Sequence, residues 1–486
     1  MLKITISSPR TAPVGLGHGC RIAIIGGGFT GATVARLLAE RSYRHVDEIT
    51  VFEPREGLGS GLAYDVGDPD LRLNVAAHRM RAVPGAPSAF LDWLQASGAL
   101  SVDPQAIAAE GIYARRRDFG RFMREQMAAF LDDDAIRHVR ERVVSVRRRR
   151  DRWHVTGASG TSVTADILIL ATGHPPASIP EALGRTPHVW DRVIADVWRT
   201  DAFDRVNTGE TVLVVGSGLT ALDAVARLSA RRHRGKILLL SRSGLLPRPH
   251  ASGDFSPYGD FLAEPPATAR ILLRKVRSTI ADAQDKGIPW QSVFDALRQQ
   301  AQSLWHALPP AEKRKLLRRL RRWYDVHRFR MPPQVSQLLR SETVSARVGA
   351  KAGNIRAVRR QGERLAVTVA AGTDAGVVDF YDRIILATGP DFRRYCEHQR
   401  WLHDLDRDGV LRSDPLGLGL ACDTAGRALA ADGCPSMSLF VAGPPARAAF
   451  GELTGVPEIA AQASKLVDGI LRMRARDTRT IRIRGM

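Results

Sequence analysis

The chain has 486 residues, 44% hydrophobic and 25% charged, with a net charge of +20. That length exceeds one ordinary core and calls for two or three domains, and the composition excludes a disordered chain. No apolar run reaches the roughly 18 residues that cross a bilayer, and the opening MLKITISSPRTAPVGLGHGC lacks the apolar centre of a signal peptide, so residues 1–20 read as a loose lead-in and the cytoplasm is the expected compartment.

Four cysteines, Cys20, Cys396, Cys422 and Cys434, show neither CxxC nor CxxxxC spacing. This argues against a dithiol redox centre, a zinc ribbon and an iron–sulfur site, and no metal is expected. Arginine is spread over the whole chain, densest at RRRR (147–150) and in EKRKLLRRLRRWYDVHRFR (312–330). In the second run Leu316, Leu317, Leu320, Trp323 and Tyr324 recur at helical spacing, an apolar stripe with arginines on the other faces. Nucleic acid is therefore disfavoured as a partner. The positive field also suits phosphate-bearing cofactors or a substrate of acidic character.

The first element pair is RIAIIGGGFTGATVARLL, Arg21 to Leu38. An apolar strand leads into Gly26, Gly28 and Gly31 in GxGxxG spacing, with Thr30 beside them, and an apolar-periodic helix follows. The first glycine makes the tight turn, the second admits a pyrophosphate, and the third lets helix and strand pack closely. The next strand, EITVFEP, ends in Glu53, about 20 positions beyond the last glycine, where a carboxylate accepts from a ribose and repels a 2′-phosphate. This cradle suits the adenosine of FAD or NAD. DILILATGHPP (166–176) then reads as a buried strand closed by small residues, so that Thr172 and Gly173 permit close backbone approach.

The pattern then repeats. TVLVVGSGLTALDAVARL, Thr211 to Leu228, gives GxGxxA at Gly216, Gly218 and Ala221, with Thr220 in the helix that follows. Its next strand ends in Ser241 and Arg242 where the first cradle has Glu53. Hydroxyls and a guanidinium there suit a 2′-phosphate, so the second ligand is expected to be NADPH and the first FAD. Near the end of the chain DRIILATGPDF (382–392) echoes the earlier ATG strand.

On these residues the chain resembles the two-dinucleotide-binding flavoproteins. It looks like the bacterial FAD–NAD(P)-binding family and the single-component flavin monooxygenases, with aspartate N-monooxygenases that form nitrosuccinate as relatives. The resemblance rests on GLGSGLAYD (57–65), LRLNVAAHRMRAVPGAPSAFLDWL (71–94), YARRRDFGRFM (113–123), SRSGLLPRPH, RRWYDVHRFRMPP (321–333), DPLGLGL and VAGPPARAAFGELTGVPEI (441–459). It implies an α/β fold of two Rossmann-like dinucleotide-binding domains, the second inserted in the first, with a helical insertion. The FAD domain is expected over 21–176 and 380–472. The NADPH domain is expected over 177–379, including a helical insert at 257–340 with Trp290, Leu297, Leu304 and Trp305 in its core, and a basic tail over 473–486.

The same resemblance places Asn74, His78 and Met80 beside the isoalloxazine, with His78 as a candidate proton shuttle. Arg115 and Arg116 become candidates for the flavin phosphate or ribityl group. The helix at Pro457 is expected to aim its N-terminus at the flavin, where its dipole favours negative charge. Arg248, His250, Arg328 and Arg330 are candidates to face a carboxylate substrate. Relatives carry Gly-Asp before that last helix; here Gly443 precedes Pro444, and Glu452 or Thr454 is expected to take over. The Baeyer–Villiger fingerprint FxGxxxHxxxW is absent, because LGRTPHVWDR puts Arg192 where Trp belongs. The implied chemistry is hydride transfer from NADPH to FAD, then oxygen transfer from a flavin hydroperoxide to a small substrate, most plausibly at an amine nitrogen. Two rivals remain: an NADPH-dependent flavin reductase or dehydrogenase without oxygen insertion, and a flavin-bearing protein that binds nucleic acid or an acidic partner. An oligomer is left open.

Overall fold

The computed structural model describes residues 20–41, 46–372 and 374–484. The expected lead-in lies outside them apart from Cys20, which opens the first strand. That strand, Cys20–Ile25, buries Ile22, Ala23, Ile24 and Ile25 to 4% exposure or less. An unbroken apolar run of this kind belongs to a parallel sheet covered on both faces.

The sheet built on it has six strands, in the order Arg427–Leu429, Pro435–Val441, Ile167–Leu170, Cys20–Ile25, Val46–Phe52 and Arg137–Val139. Every pairing is parallel except that of the edge strand Arg427–Leu429. A second, wholly parallel sheet runs Val193–Ile194, Arg383–Leu386, Val212–Val215, Ile237–Ser241 and Val348–Ala352. Each sheet is accompanied by a three-stranded antiparallel one, over residues 143–165 and 354–381.

One boundary differs from expectation. The return to the first domain was placed at about 380, yet Arg383–Leu386 pairs with Val212–Val215 in the second sheet. The reason is the duplication itself. Each ATG strand follows its own antiparallel sheet and lies beside its own glycine-turn strand, as Ile22 pairs with Ile167 and Leu213 with Ile384. The chain rejoins the first sheet only afterwards, at Arg427–Leu429 and Pro435–Val441. The residues expected as a separate tail from 473 continue the helix Val456–Arg484.

Between Ile237–Ser241 and Val348–Ala352 the chain forms a run of helices, chief among them Ala269–Asp285, Trp290–Ala307 and Arg321–Arg328. Leu297, Leu304 and Trp305 are buried, and Trp290 packs against the same cluster as a half-buried side chain. These helices lie on the loop that precedes Val456–Arg484. Trp305 Nε1 donates to the Ala448 carbonyl at 2.8 Å, and Arg298 grips Glu458 bidentately at 2.6 and 3.0 Å.

The helix after the second glycine turn, Leu219–Ala230, is fixed to the first domain by two buried ion pairs of opposite sense. Arg227, 1% exposed, donates to Asp68 at 2.6 Å and to the carbonyls of Val197, Arg199 and Thr200. One turn earlier Asp223 receives Arg116 at 2.9 Å. Removing one member of such a pair strands a buried charge, at a cost of about 3–5 kcal/mol. Arg227→Met is therefore expected to lower stability by about 3 kcal/mol, read from the urea midpoint. Arg185→Met, which breaks an exposed pair with Glu181, is expected to leave the midpoint unmoved.

Candidate active site

At each glycine turn the first glycine presses on the alanine that ends the neighbouring ATG strand. Gly26 has φ +101°, and a Cβ there would stand 2.4 Å from the Ala171 carbonyl oxygen. Gly216, at φ +132°, would meet the Ala387 oxygen at 2.1 Å. The small residues of the two ATG strands are thus the other half of each turn. Gly31 closes the first turn further, since a Cβ would lie 1.8 Å from the Gly26 oxygen.

Glu53 is buried at the end of its strand, 4% exposed. One oxygen accepts the Gly27 N–H at 3.0 Å, and the other accepts from Arg55 Nη1 at 2.9 Å and Arg55 N at 3.1 Å. A carboxylate offers about four acceptor positions, so room remains for a ribose hydroxyl. At the second cradle Gly218 is exposed, and a Cβ on it would meet nothing within 4 Å, which leaves space for a pyrophosphate. Thr220 lies in the first turn of the following helix, and Ala221 is fully buried beneath it. Arg242 is exposed and makes no ion pair or hydrogen bond among the described residues. Ser241 also has a local role in the turn. Its hydroxyl accepts from Ser217 at 2.7 Å and from the Gly244 N–H at 3.0 Å, so it braces the turn.

The C-terminal edge of the first sheet carries the remaining cofactor candidates. Thr172 Oγ1 lies 2.7 Å from the Tyr395 hydroxyl, which also reaches the Gly173 carbonyl at 3.1 Å. Gly443 has φ +71° and packs on Thr30, whose Oγ1 would be 2.4 Å from an added Cβ. Pro457 is the second residue of Val456–Arg484, where its missing N–H costs nothing. Just before it the Thr454 hydroxyl is buried without a partner. A buried hydroxyl without a partner among the described residues, at the positive end of a long helix, fits a bound flavin dinucleotide. Glu452 is committed elsewhere, to Tyr324 and to Arg328 Nε at 2.6 Å, so Thr454 is the one of the two expected substitutes left available. Met80 is buried in the first domain's core.

A cavity of about 250 Å³ lies where five separated segments meet. Its walls include His78, Tyr113, His250, Asp295 and Arg330. His250 Nε2 is 3.0 Å from the Asn74 carbonyl. A carbonyl only accepts, so Nε2 carries the proton and Nδ1 is the bare nitrogen. Burial, with Arg330 adding to it, lowers the His250 pKa to about 4. His78 is exposed and its pKa is lowered by desolvation and then by Arg79, which donates to its Nε2 at 3.3 Å. Both imidazoles are therefore neutral at physiological pH.

The arginines offered to a substrate or cofactor are mostly occupied. Arg116 binds Asp223 and the Arg72 carbonyl and lies 5.0 Å over Trp198; it joins the domains. Arg115 sits 3.3 Å from Asp103. Arg328 is buried against Glu452. Arg330 lines the cavity, yet it binds Asp295 and the Gln291 carbonyl, both at 2.9 Å. Arg79 reaches the same carboxylate at 2.9 Å. Arg248 alone of the four substrate candidates has an exposed side chain without an ion pair among the described residues. Asp295, Tyr113 and Tyr395 were not singled out from the sequence, since nothing local marks them. Among the described residues no helix is long and apolar enough to cross a membrane, and no group of three or more His, Cys, Asp or Glu could hold a metal.

Comparison with known proteins bears on the fold. Residues 23–175 match the family model described as FAD-NAD(P)-binding. No curated protein matches the sequence. Among solved structures, the reduced form of ornithine hydroxylase from Pseudomonas aeruginosa is similar at a TM-score of 0.62 and 14% identity, covering 93% of this chain and 99% of that one. Ornithine N-hydroxylase from Kutzneria sp. 744 gives 0.62 and 16%, covering 94% and 100%. The cadaverine monooxygenase of Erwinia amylovora gives 0.62 and 13%, covering 93% and 95%. The chain shares the fold of these proteins over nearly its whole length.

The His250 environment sets a pH dependence. Unfolded, the ring takes a proton near its ordinary value of 6.5; folded, it does so only at about 4. Below pH 6.5 the unfolded chain binds the extra proton, so the His250 contribution to stability falls as pH drops towards 4. Urea unfolding across that window should show the loss, and His250→Gln should flatten it.

Proposed function

We propose that the protein is an FAD-dependent, NADPH-consuming monooxygenase that hydroxylates a small substrate, most plausibly at an amine nitrogen. The observation that carries the reading is the pairing of two cradles of opposite polarity. A buried carboxylate, Glu53, ends one strand, and a free guanidinium, Arg242, ends the other. The first suits a ribose hydroxyl and the second a 2′-phosphate. The family match over the first cradle supports FAD there, and the substrates of the structural neighbours, ornithine and cadaverine, favour an amine.

Bound FAD supplies the chemistry, passing electrons from NADPH to O₂. The chain's part is to position and enclose. Gly26, Gly28 and Gly31 bring backbone N–H groups to one pyrophosphate, and Gly216, Gly218 and Ala221 do so for the other. Thr454 and the N-terminus of Val456–Arg484 would offer donors to the bound cofactor. The ion pairs on Leu219–Ala230 hold the second cradle at a fixed distance from the first. The helices 269–328 lie over the loop 444–458 and keep water from the cofactor edge. In the cavity, His250 Nδ1 and the Asp295 carboxylate are groups able to accept an N–H from an amine substrate.

Anaerobic reduction by NADPH, followed by rapid mixing with O₂ while the flavin spectrum is followed, tests this. A long-lived species that is neither reduced nor oxidised flavin is the expected result. Direct return to oxidised flavin with stoichiometric peroxide, unchanged when amines are added, would establish the reductase reading in its place. Arg242→Ala should raise the KM for NADPH at least about tenfold, the equivalent of one lost charge-assisted contact, and leave that for NADH unchanged. Equal effects on both would remove the 2′-phosphate assignment.

A further inference from the structure

Four arginines cluster around the loop before Val456–Arg484, and three of them are neutralised. Arg298 is paired with Glu458, Arg328 with Glu452, and Arg321 with Asp325 at 3.3 Å. The fourth, Arg447, has no carboxylate within ion-pair distance among the described residues, and its Nε is buried without any hydrogen-bond partner. Its guanidinium lies 5.0 Å from the centre of the Phe392 ring, on whose other contacts stand His174 at 5.7 Å and Tyr395, stacked at 5.9 Å. The side chain is half-buried, and a guanidinium partly withdrawn from water and left without an anion is costly. The strain shows in its acidity: burial, with Arg321 next in effect, brings the Arg447 pKa down to about 10.

The position narrows what could relieve it. Tyr395, stacked on Phe392, is hydrogen-bonded to Thr172 and Gly173, just beyond the carboxyl end of the strand Ile167–Leu170. In open parallel sheets that edge is where ligands bind. His174 follows directly and is exposed. The nearest acids cannot serve, because Asp325 and Glu452 are each already held by an arginine. Among the described residues no acid is left to pair with it, which points to a group from outside the chain. A flat guanidinium held over an aromatic ring presents its N–H fork edgewise, which matches two oxygens of one anionic group.

We propose that Arg447 is an anion-binding residue of the active site, pairing bidentately with an oxyanion of a bound molecule: a carboxylate of the substrate or a phosphate of the dinucleotide. The site deepens the monooxygenase reading, on which the substrate arm rests. It also revises the expectation that Arg328 and Arg330 meet a carboxylate, since both are already neutralised within the chain.

The test uses the FAD-loaded protein and two variants, Arg447→Gln and Arg447→Lys, with succinate as a carboxylate probe that carries no amine. Succinate affinity is measured by titration calorimetry, and FAD affinity by the flavin retained on dialysis. If the partner is a substrate carboxylate, Arg447→Gln weakens succinate at least about tenfold with FAD retention unchanged, and Arg447→Lys restores part of the loss. If it is a cofactor phosphate, Arg447→Gln loses FAD in proportion, with a smaller loss in Arg447→Lys. Wild-type affinity for both in Arg447→Gln would overturn the proposal. So would a loss of both that Arg447→Lys does not ease, because the residue would then act through shape and not charge. Reduction by NADPH is read separately: its failure in the wild type removes the oxidoreductase reading and leaves the succinate titration standing.

Discussion

The arrangement of the molecule depends on one pair of buried contacts, Arg227 to Asp68 and Asp223 to Arg116. Both charges of the second-cradle helix sit one turn apart and find opposite partners on the first domain. Such a double contact resists sliding, because any shift that keeps one pair breaks the other. A buried ion pair adds little net stability over an apolar contact, but it is intolerant of misplacement. For two cofactor cradles that must stand at one separation, intolerance is the useful property. Arg227 adds three carbonyl contacts to Val197, Arg199 and Thr200, so the chain leading into the second cradle is held by the same side chain.

The cradles were legible because their physics is local. A glycine that must sit at φ +101° with a carbonyl 2.4 Å from its absent Cβ admits no other residue, and the apolar strand and periodic helix around it form one short continuous stretch of sequence. The ATG strands were read as sites of close approach, and their alanines prove to face the first glycine of each turn. The domain boundary near 380 was misplaced for the same reason that the repeat was visible: the last ATG strand belongs to the second copy of the motif, and only pairing distinguishes the copies.

The side-chain roles were less legible because they are settled by partners far along the chain. Arg116 has its acid 107 positions away, Arg328 has its acid 124 positions away, and Arg330 has its acid 35 positions away. A sequence shows that an arginine is present and not whether it is already answered. His250 is the opposite case. It lines the cavity, yet its state is decided by the Asn74 carbonyl, 176 positions distant, which fixes the ring proton on Nε2.

In a chain with 71 lysines and arginines, an arginine by itself points to nothing. What distinguishes one is the remainder after each buried charge has been matched with its partner. At the surface such matching says little, since exposed pairs are weak and water answers an unpaired cation. Out of water an unmatched charge must be met by a ligand or tolerated as strain. Arg242 is unpaired in solvent, and its meaning comes from its place at a strand end beside a glycine turn. Arg447 is unpaired with its Nε buried, among three arginines that are each paired. Position and pairing together, and not residue type, separate the arginines that hold the fold from those left to meet a ligand.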